Sequence, residues 1–331
     1  MSAQSWFNKV WYDRESPPVW LVPLSLLFGA MACLRRLFYR HGLLSTIRIT
    51  RPVVVIGNLT VGGTGKSPLV YWLVERLREC GWSPGIVTRG YRGAHTGPRL
   101  VTPADSVESV GDEPLMLARL CATPVAVGKD RAAAARLLVE AGCDVIVSDD
   151  GLQHYRLARD CEIVVVDGDR RFGNDWLLPA GPMREAPRRL ADVDAVVVNG
   201  GTDTVVGELR MRLVATTAVS LAGRSEVPLN NFSGQSVHAV AGIGNPQRFF
   251  EMLGSVGMNV TGHALDDHAR IGRQDLEFGD DSPVLMTEKD AVKCAGFADA
   301  HHWMVPVRAC FDAADSKRLM DIVLARIRSK E

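Results

Sequence analysis

The stretch PVVVIGNLTVGGTGKSPLVYWLVERLREC (52–80) decides how the rest of the chain is read. Residues 52–58 are a short β-branched run, the mark of a buried strand. From Lys66 onward apolar residues recur at helical spacing, and Pro68 falls in the first turn, where a missing N–H is tolerated. Between strand and helix lies TVGGTGKS (60–67), which ends in Gly-Lys-Ser as a Walker-type phosphate loop does. The full pattern, G-x-x-x-x-G-K-[ST], asks for glycine at position 60, where Thr60 stands. Successive glycines let backbone amides turn inward around phosphate oxygens, and the following helix adds its positive N-terminal end. Thr60, Val61, Gly62, Gly63, Thr64, Gly65, Lys66 and Ser67 are therefore the expected nucleotide loop. Lys66 is expected at the β- and γ-phosphates, and Ser67 on Mg²⁺.

The same grammar continues downstream. PGIVTRG (84–90), PVAVGKD (124–130), DVIVSDD (144–150), EIVVVDG (162–168) and DAVVVNG (194–200) read as further strands. EPLMLARLC (113–121) and DRAAAARLLVEAGC (130–143) read as helices between them. This alternation predicts an α/β fold, a P-loop NTPase-like, mostly parallel sheet with helices on both faces. Ligands of such sheets sit at the carboxyl ends of the strands, where the polar motifs fall. Residues 206–235 read as an extended linker, and VHAVAGIGNPQRFFEMLGSVG (237–257) opens a second strand–turn–helix unit. The expected division is an N-terminal segment 1–45, a nucleotide domain 46–205, the linker, and a smaller C-terminal α/β domain 236–331.

Bulk properties agree with an intracellular globular protein. The chain has 331 residues, 47% of them hydrophobic, and a net charge of zero, which gives no support to a general nucleic-acid binder. Seven cysteines (33, 80, 121, 143, 161, 294, 310) show no C-x-x-C pair, which argues against a disulfide frame or zinc site. SPPVWLVPLSLLFGAMACL (16–34) carries no charge and is followed by Arg35, Arg36 and Arg40. Basic residues after an apolar helix favour the cytoplasmic side of a membrane, and their position does not suit a signal peptide. A membrane-associated helix, interfacial or crossing, and a buried core helix are the two readings of this segment.

A Walker-type site needs carboxylates near the metal. Asp149 and Asp150 follow an apolar strand, although D-D-G is also good turn chemistry. Asp112 and Glu113, in GDEP (111–114), stand where a helix begins, and for Asp112 alone a helix cap and a site role are equally balanced readings. Ser67, Asp149, Asp150 and Glu113 form the expected metal set. The guanine signature N-K-x-D is missing from VVVNGGTD (196–203), which points to ATP.

Taken together, NLTVGGTGKSP (58–68), TRGYRG (88–93), GDEP (111–114), GKDR (128–131), DDGLQH (149–154), FGNDWLLPAGPMRE (172–185), DDH (266–268) and TEKDAVK (287–293) resemble the tetraacyldisaccharide 4'-kinase family, the lipid A 4'-kinases of Gram-negative bacteria. The resemblance covers nearly the whole chain. It implies transfer of the ATP γ-phosphate to the 4'-hydroxyl of a tetraacylated glucosamine disaccharide 1-phosphate, giving lipid IVA, at the cytoplasmic face of the inner membrane. It implies Asp112 as base, paired with His268, and Lys66 as the third catalytic group. The family pattern is Asp-His-His where this chain has Asp267-His268-Ala269, so the choice of His268 rests on spacing to Asp275. Arg89, Tyr91, Arg92, Lys129, Arg131, His154, Gly173, Asn174, Arg184 and Glu185 are expected to face the lipid substrate or nucleotide phosphate. Thr287–Asp290 either touches nucleotide or merely starts a helix. The lipid precursor and the membrane surface are the expected partners, and no protein partner is implied. A membrane-associated P-loop ATPase or GTPase acting as a switch is the competing function.

Overall fold

The computed structural model describes residues 3–13, 16–203, 205–223 and 225–329; of the expected segments, residues 1, 2, 14, 15, 204, 224, 330 and 331 lie outside the described residues. The first part of the chain runs α1 (Ala3–Tyr12), α2 (Leu21–Arg40), β1 (Val53–Gly57), α3 (Lys66–Glu79), β2 (Pro84–Thr88), β3 (Arg99–Val101), α4 (Val107–Val110) and α5 (Asp112–Leu120). It continues through β4 (Val125–Val127), α6 (Arg131–Glu140), β5 (Val145–Asp149), β6 (Cys161–Asp167), β7 (Ala195–Asn199) and β8 (Leu209–Val214). Then follow β9 (Thr217–Ser220), β10 (Glu226–Pro228), β11 (Ser236–Ala241), α7 (Pro246–Ser255), β12 (Asn259–Ala264), β13 (Val284–Thr287), α8 (Glu288–Cys294) and β14 (His302–Val305). The chain returns through β15 (Arg308–Phe311) and α9 (Ala313–Arg328).

Two sheets result. The nine-stranded sheet has the order β15-β8-β7-β6-β1-β5-β2-β4-β3, parallel except for β3 and β15 at its edges. β1 lies between β5 and β6, where the chain stops building in one direction and starts building in the other. A crevice at the carboxyl end of β1 is the consequence. Alternate residues of β1 face opposite ways. Val54 and Ile56 pack with α3, α5 and α9, whereas Val53 and Val55 pack with α6. Beneath β6 and β7 that second face is covered by Leu59, Leu152 and the irregular stretch around Phe172 and Leu190. The other sheet, β10-β9-β14-β13-β11-β12, has a parallel centre and an antiparallel β9–β10 flank.

The sheets divide the chain differently from the expectation. Residues 206–235 are not a free linker, because β8 extends the first sheet while β9 and β10 belong to the second. The C-terminal residues do not stay with the second unit. β15 pairs antiparallel with β8, and Leu319, Val323 and Ile327 of α9 are buried with Ile163 and Leu209. The second unit is thus an insertion between β8 and β15.

α2 is not a core helix: only Leu21 and Ser25 are buried, whereas Leu24, Leu26, Leu27, Met31, Leu34 and Leu37 are exposed. Its prolines are accommodated, since Pro17 and Pro18 precede the helix and Pro23 sits in its first turn. The helix is long and apolar enough to cross a membrane by length and composition. It is tied to the body at two places: Ser25 Oγ donates to the Leu177 carbonyl at 2.7 Å, and Arg36 meets Asp192 at 2.6 Å.

Candidate active site

The loop after β1 closes as a phosphate cradle and shows why Thr60 is allowed. Gly62 and Gly65 have φ of +109° and +94°, the left-handed region that glycine enters without strain. A Cβ on Gly65 would also sit 2.6 Å from the Asn199 amide. Thr60 is not in that region; it is buried and bridges antiparallel to Met183. The loop is held from outside. The Val61 amide donates to Pro182 (2.8 Å), Asn199 donates to the Thr64 carbonyl (3.1 Å), and Tyr12 of α1 donates to the Val61 carbonyl (3.2 Å).

At the end of β5 the chain turns through Asp150, whose φ is +47°. Its carboxylate meets Lys66 at 3.5 Å and Arg184 at 3.1 Å, and its carbonyl accepts from Arg131 at 2.7 Å. Burial opposes the Asp150 charge, but Lys66, Arg184 and Arg131 outweigh it and hold the carboxyl far below the usual range. Asp149 behaves oppositely. Burial, with the neighbouring Glu113 charge, pushes it up to about 7, and its Oδ1 is buried with no hydrogen-bond partner among the described residues. Adjacent carboxylates, Asp150 lining the cleft and Asp149 buried outside that lining, are thereby driven apart.

The opposite wall comes from three elements. Asp112 opens α5, 4% exposed. His268, in the loop after β12, brings Nδ1 within 2.8 Å of Asp112 Oδ2 and 3.0 Å of Oδ1. The histidine at position 268, not the alanine after it, therefore meets the carboxylate. Burial acts to raise the Asp112 carboxyl, but the His268 hydrogen bond and the Lys289 and Lys293 charges hold it below its ordinary value. Arg92 donates to the His268 carbonyl at 2.6 Å, and the Tyr91 ring lies 5.1 Å from the imidazole. Arg92, Asp150 and His268 are three of the five non-glycine residues with positive φ among those described. Backbone strain concentrated at one cleft is a signature of a working site.

A cleft of about 720 Å³ joins the two walls. It takes in Val61 to Ser67 of the loop, with Arg89, Tyr91, Glu113, Arg131, Asp150, Arg184 and His268. Tyr71, Leu117 and Leu213 form an apolar flank, and Ile243, Phe249 and Met252 close it from the second unit. There Gly244 backs onto Gly63 so closely that a Cβ would strike the Gly63 amide. Arg170 donates to the Gly244 carbonyl at 2.9 Å and lies over the Tyr12 ring.

Several expected substrate residues serve elsewhere. The Asn174 amide donates to the Val10 and Ala180 carbonyls, and Gly173 lies against the Trp11 carbonyl, so both seat α1 instead of lining the cleft. Glu185 is buried, accepting from Gln153 (3.0 Å) and Tyr155 (2.5 Å), and so braces the turn that carries Asp150. His154 is outside the cleft lining; burial, then Arg131 and Arg159, push its pKa down to about 4. Lys129 is exposed in the turn just before α6. Sequence reasoning quoted Lys293 only as part of TEKDAVK, and Lys289 only within Thr287–Asp290 as a nucleotide contact or a helix start. Their i, i+4 spacing in TEKDAVK was the available signal. Asn199, at the end of a strand, carried none.

A glycine loop between a central parallel strand and a helix, facing a carboxylate–imidazole pair across one cleft, defines a P-loop phosphotransferase. The comparisons narrow this. A family model described as tetraacyldisaccharide-1-P 4'-kinase matches residues 18–328, and the chain belongs to that kinase family. A tetraacyldisaccharide 4'-kinase of Methylobacillus flagellatus is 46% identical, covering 100% of this chain and 99% of the relative. One from Alkalilimnicola ehrlichii is 50% identical, covering 96% of this chain and 97% of the relative. Among solved structures, LpxK from Aquifex aeolicus, crystallised in complex with ATP, is 26% identical with a TM-score of 0.76, covering 92% of this chain and 98% of that one.

Proposed function

We propose that this kinase transfers the γ-phosphoryl group of ATP to the 4'-hydroxyl of a tetraacyl glucosamine disaccharide 1-phosphate, giving lipid IVA. The observation that carries the reading is the Asp112–His268 pair, whose His268 lines the same cleft as Lys66. Phosphoryl transfer passes through a loose transition state, so the protein's work is positioning and charge compensation. Lys66 and the first-turn amides of α3 take the phosphate charge. Asp112 accepts the hydroxyl proton as the new P–O bond forms, and His268 orients it through Nδ1. Arg89, Arg131 and Arg184, all at the cleft, supply cations for the phosphates of nucleotide and lipid.

The donor set fits a divalent cation: Ser67 lies at the cleft, and Asp149 Oδ1 is buried without a partner among the described residues. Ser67 and Asp149 would hold Mg²⁺, with Asp150 and Glu113 beside them. When bound, the ion neutralises phosphate oxygens and draws Asp149 into its ionised form.

α2 is the proposed membrane contact, at the cytoplasmic face of the inner membrane. Its ties at Ser25 and Arg36 lie eleven residues apart, about 16 Å along the axis, which keeps the helix side-on to the body. That geometry favours an interfacial helix, with exposed leucines in the acyl region and Arg35 and Arg40 at the head groups.

The test is label transfer from [γ-³²P]ATP to the disaccharide 1-phosphate in detergent micelles. Label in the organic phase supports the reading. Free phosphate released without labelled lipid would overturn it in favour of an ATPase switch.

A further inference from the structure

Lys289 is a densely paired cation at the cleft. It comes from α8 in the inserted unit and reaches across to α5 in the first. Its Nζ lies 2.7 Å from Asp267 Oδ1, 3.4 Å from Glu113 Oε1 and 3.9 Å from Asp112 Oδ2. A fourth neighbour is His268 Nε2, at 3.3 Å. The side chain is 11% exposed. α8 itself is set by the fully buried Asp290, whose Oδ2 accepts from the Gly242 amide and the Thr287 hydroxyl and whose Oδ1 meets Lys293 at 2.9 Å. The base of Lys289 is therefore anchored to the end of β11, and its tip is spent on the Asp112 wall.

The contact with His268 has a specific chemical meaning. A lysine ammonium has donors and no acceptor. For that contact to be a hydrogen bond, Nε2 is the unprotonated nitrogen, even with Asp267 Oδ1 3.8 Å away, and the ring proton is on Nδ1, pointing at Asp112. With Lys289 absent, either tautomer is open to the ring, and the one protonated at Nε2 sets a lone pair against the carboxylate.

We propose that Lys289 is a positioning residue for phosphoryl transfer: it fixes the Nδ1–H tautomer of His268 against Asp112. This rests on the reading of Asp112 and His268 as the acceptor-activating pair. Three carboxylates already surround the ammonium, so its charge is compensated within the protein and is not held in reserve for nucleotide. A role in nucleotide binding and a role in positioning thus make opposite kinetic predictions.

The experiment compares Lys289→Met, Lys289→Gln and Lys289→Arg, alone and combined with His268→Ala, in the label-transfer assay, with thermal unfolding to confirm folded protein. Lys289→Met and Lys289→Gln are expected to lower kcat about ten- to a hundredfold, with KM for ATP changed less than about threefold. Lys289→Arg, which keeps the charge and the donors, recovers part of the rate. On His268→Ala the further loss is expected to be under about threefold, because Lys289 acts through that ring. Side-chain ¹⁵N spectra, with the His268 signal assigned by its loss in His268→Ala, should show Nδ1–H in the parent and a growing Nε2–H population in Lys289→Met. Full additivity with His268→Ala, a loss confined to KM for ATP, an unchanged kcat, or an unmoved tautomer would each overturn the proposal. Near-normal turnover of His268→Ala and Asp112→Ala themselves is a different result, and it removes the underlying reading of the pair.

Discussion

The two walls of the cleft are made in different ways. The phosphate wall is one continuous stretch, Val61 to Ser67, suspended between a strand and a helix of a single sheet. The acceptor wall is assembled from residues 156 positions apart, Asp112 on α5 and His268 after β12, with Lys289 of α8 behind them. A continuous wall carries its geometry in local backbone preferences. An assembled wall depends on how two packed units sit against each other, so small displacements of either unit reach the chemistry.

The comparison can be broken from either side. The largest effect belongs to the phosphate wall: Lys66→Ala is expected to lower kcat/KM by about 10³-fold, with the thermal midpoint little changed, since the loop is held by backbone and Asn199 contacts. Steady-state label transfer beside calorimetry checks both halves. On the acceptor wall, His268→Ala is expected to lower kcat by about 10²-fold with KM for ATP nearly constant, because Asp112 remains but is no longer oriented. Equal damage to KM would mean that the two walls are not separable.

A smaller effect is expected from outside the cleft. Tyr12→Phe removes one hydrogen bond to the Val61 carbonyl, about 1 kcal/mol net, and should raise KM for ATP about two- to fivefold without moving kcat. The smallest concerns pH. His154 has its folded pKa pushed down to about 4 from the ordinary 6.5, so between these values the unfolded chain binds a proton that the folded chain refuses. Its contribution to stability is present above pH 6.5 and is lost as pH falls toward 4. Urea midpoints at pH 7 and 5 should therefore differ less in His154→Gln than in the parent.

How much of this was legible follows from the same contrast. The loop, its strand and its helix could be read because glycine spacing and β-branched runs constrain backbone locally. Thr60 looked like an exception only because the motif asks for glycine where this backbone does not need it. The Asp112–His268 pair came through family resemblance, since no spacing rule links a helix start in one unit to a loop in the other. Lys289 was read only as part of a nucleotide contact or a helix start, because its carboxylate partners are met only in three dimensions. Gly173 and Asn174 contact α1 and do not line the cleft, and an irregular, glycine-rich stretch suits a binding loop and a brace for α1 equally well. The return of β15 escaped for another. A four-residue strand shows its faces but not its neighbour, and RACF beside the second unit gave no sign of pairing back to β8.

That return carries a consequence for how the protein is made. β15 and α9 complete the first sheet, yet 97 positions separate Val214 from Phe311. At about 5–20 residues per second, a ribosome needs roughly 5–20 s to cover that interval. Throughout it β8 is an open edge, with Leu209 and Met211 still awaiting the helix that buries them. The inserted unit, 217–305, has emerged entirely before β15 does. Since β14, inside the second sheet, ends at Val305 and β15 begins at Arg308, guest and host stand open together through most of that interval, which makes it the stage of synthesis most exposed to misassembly.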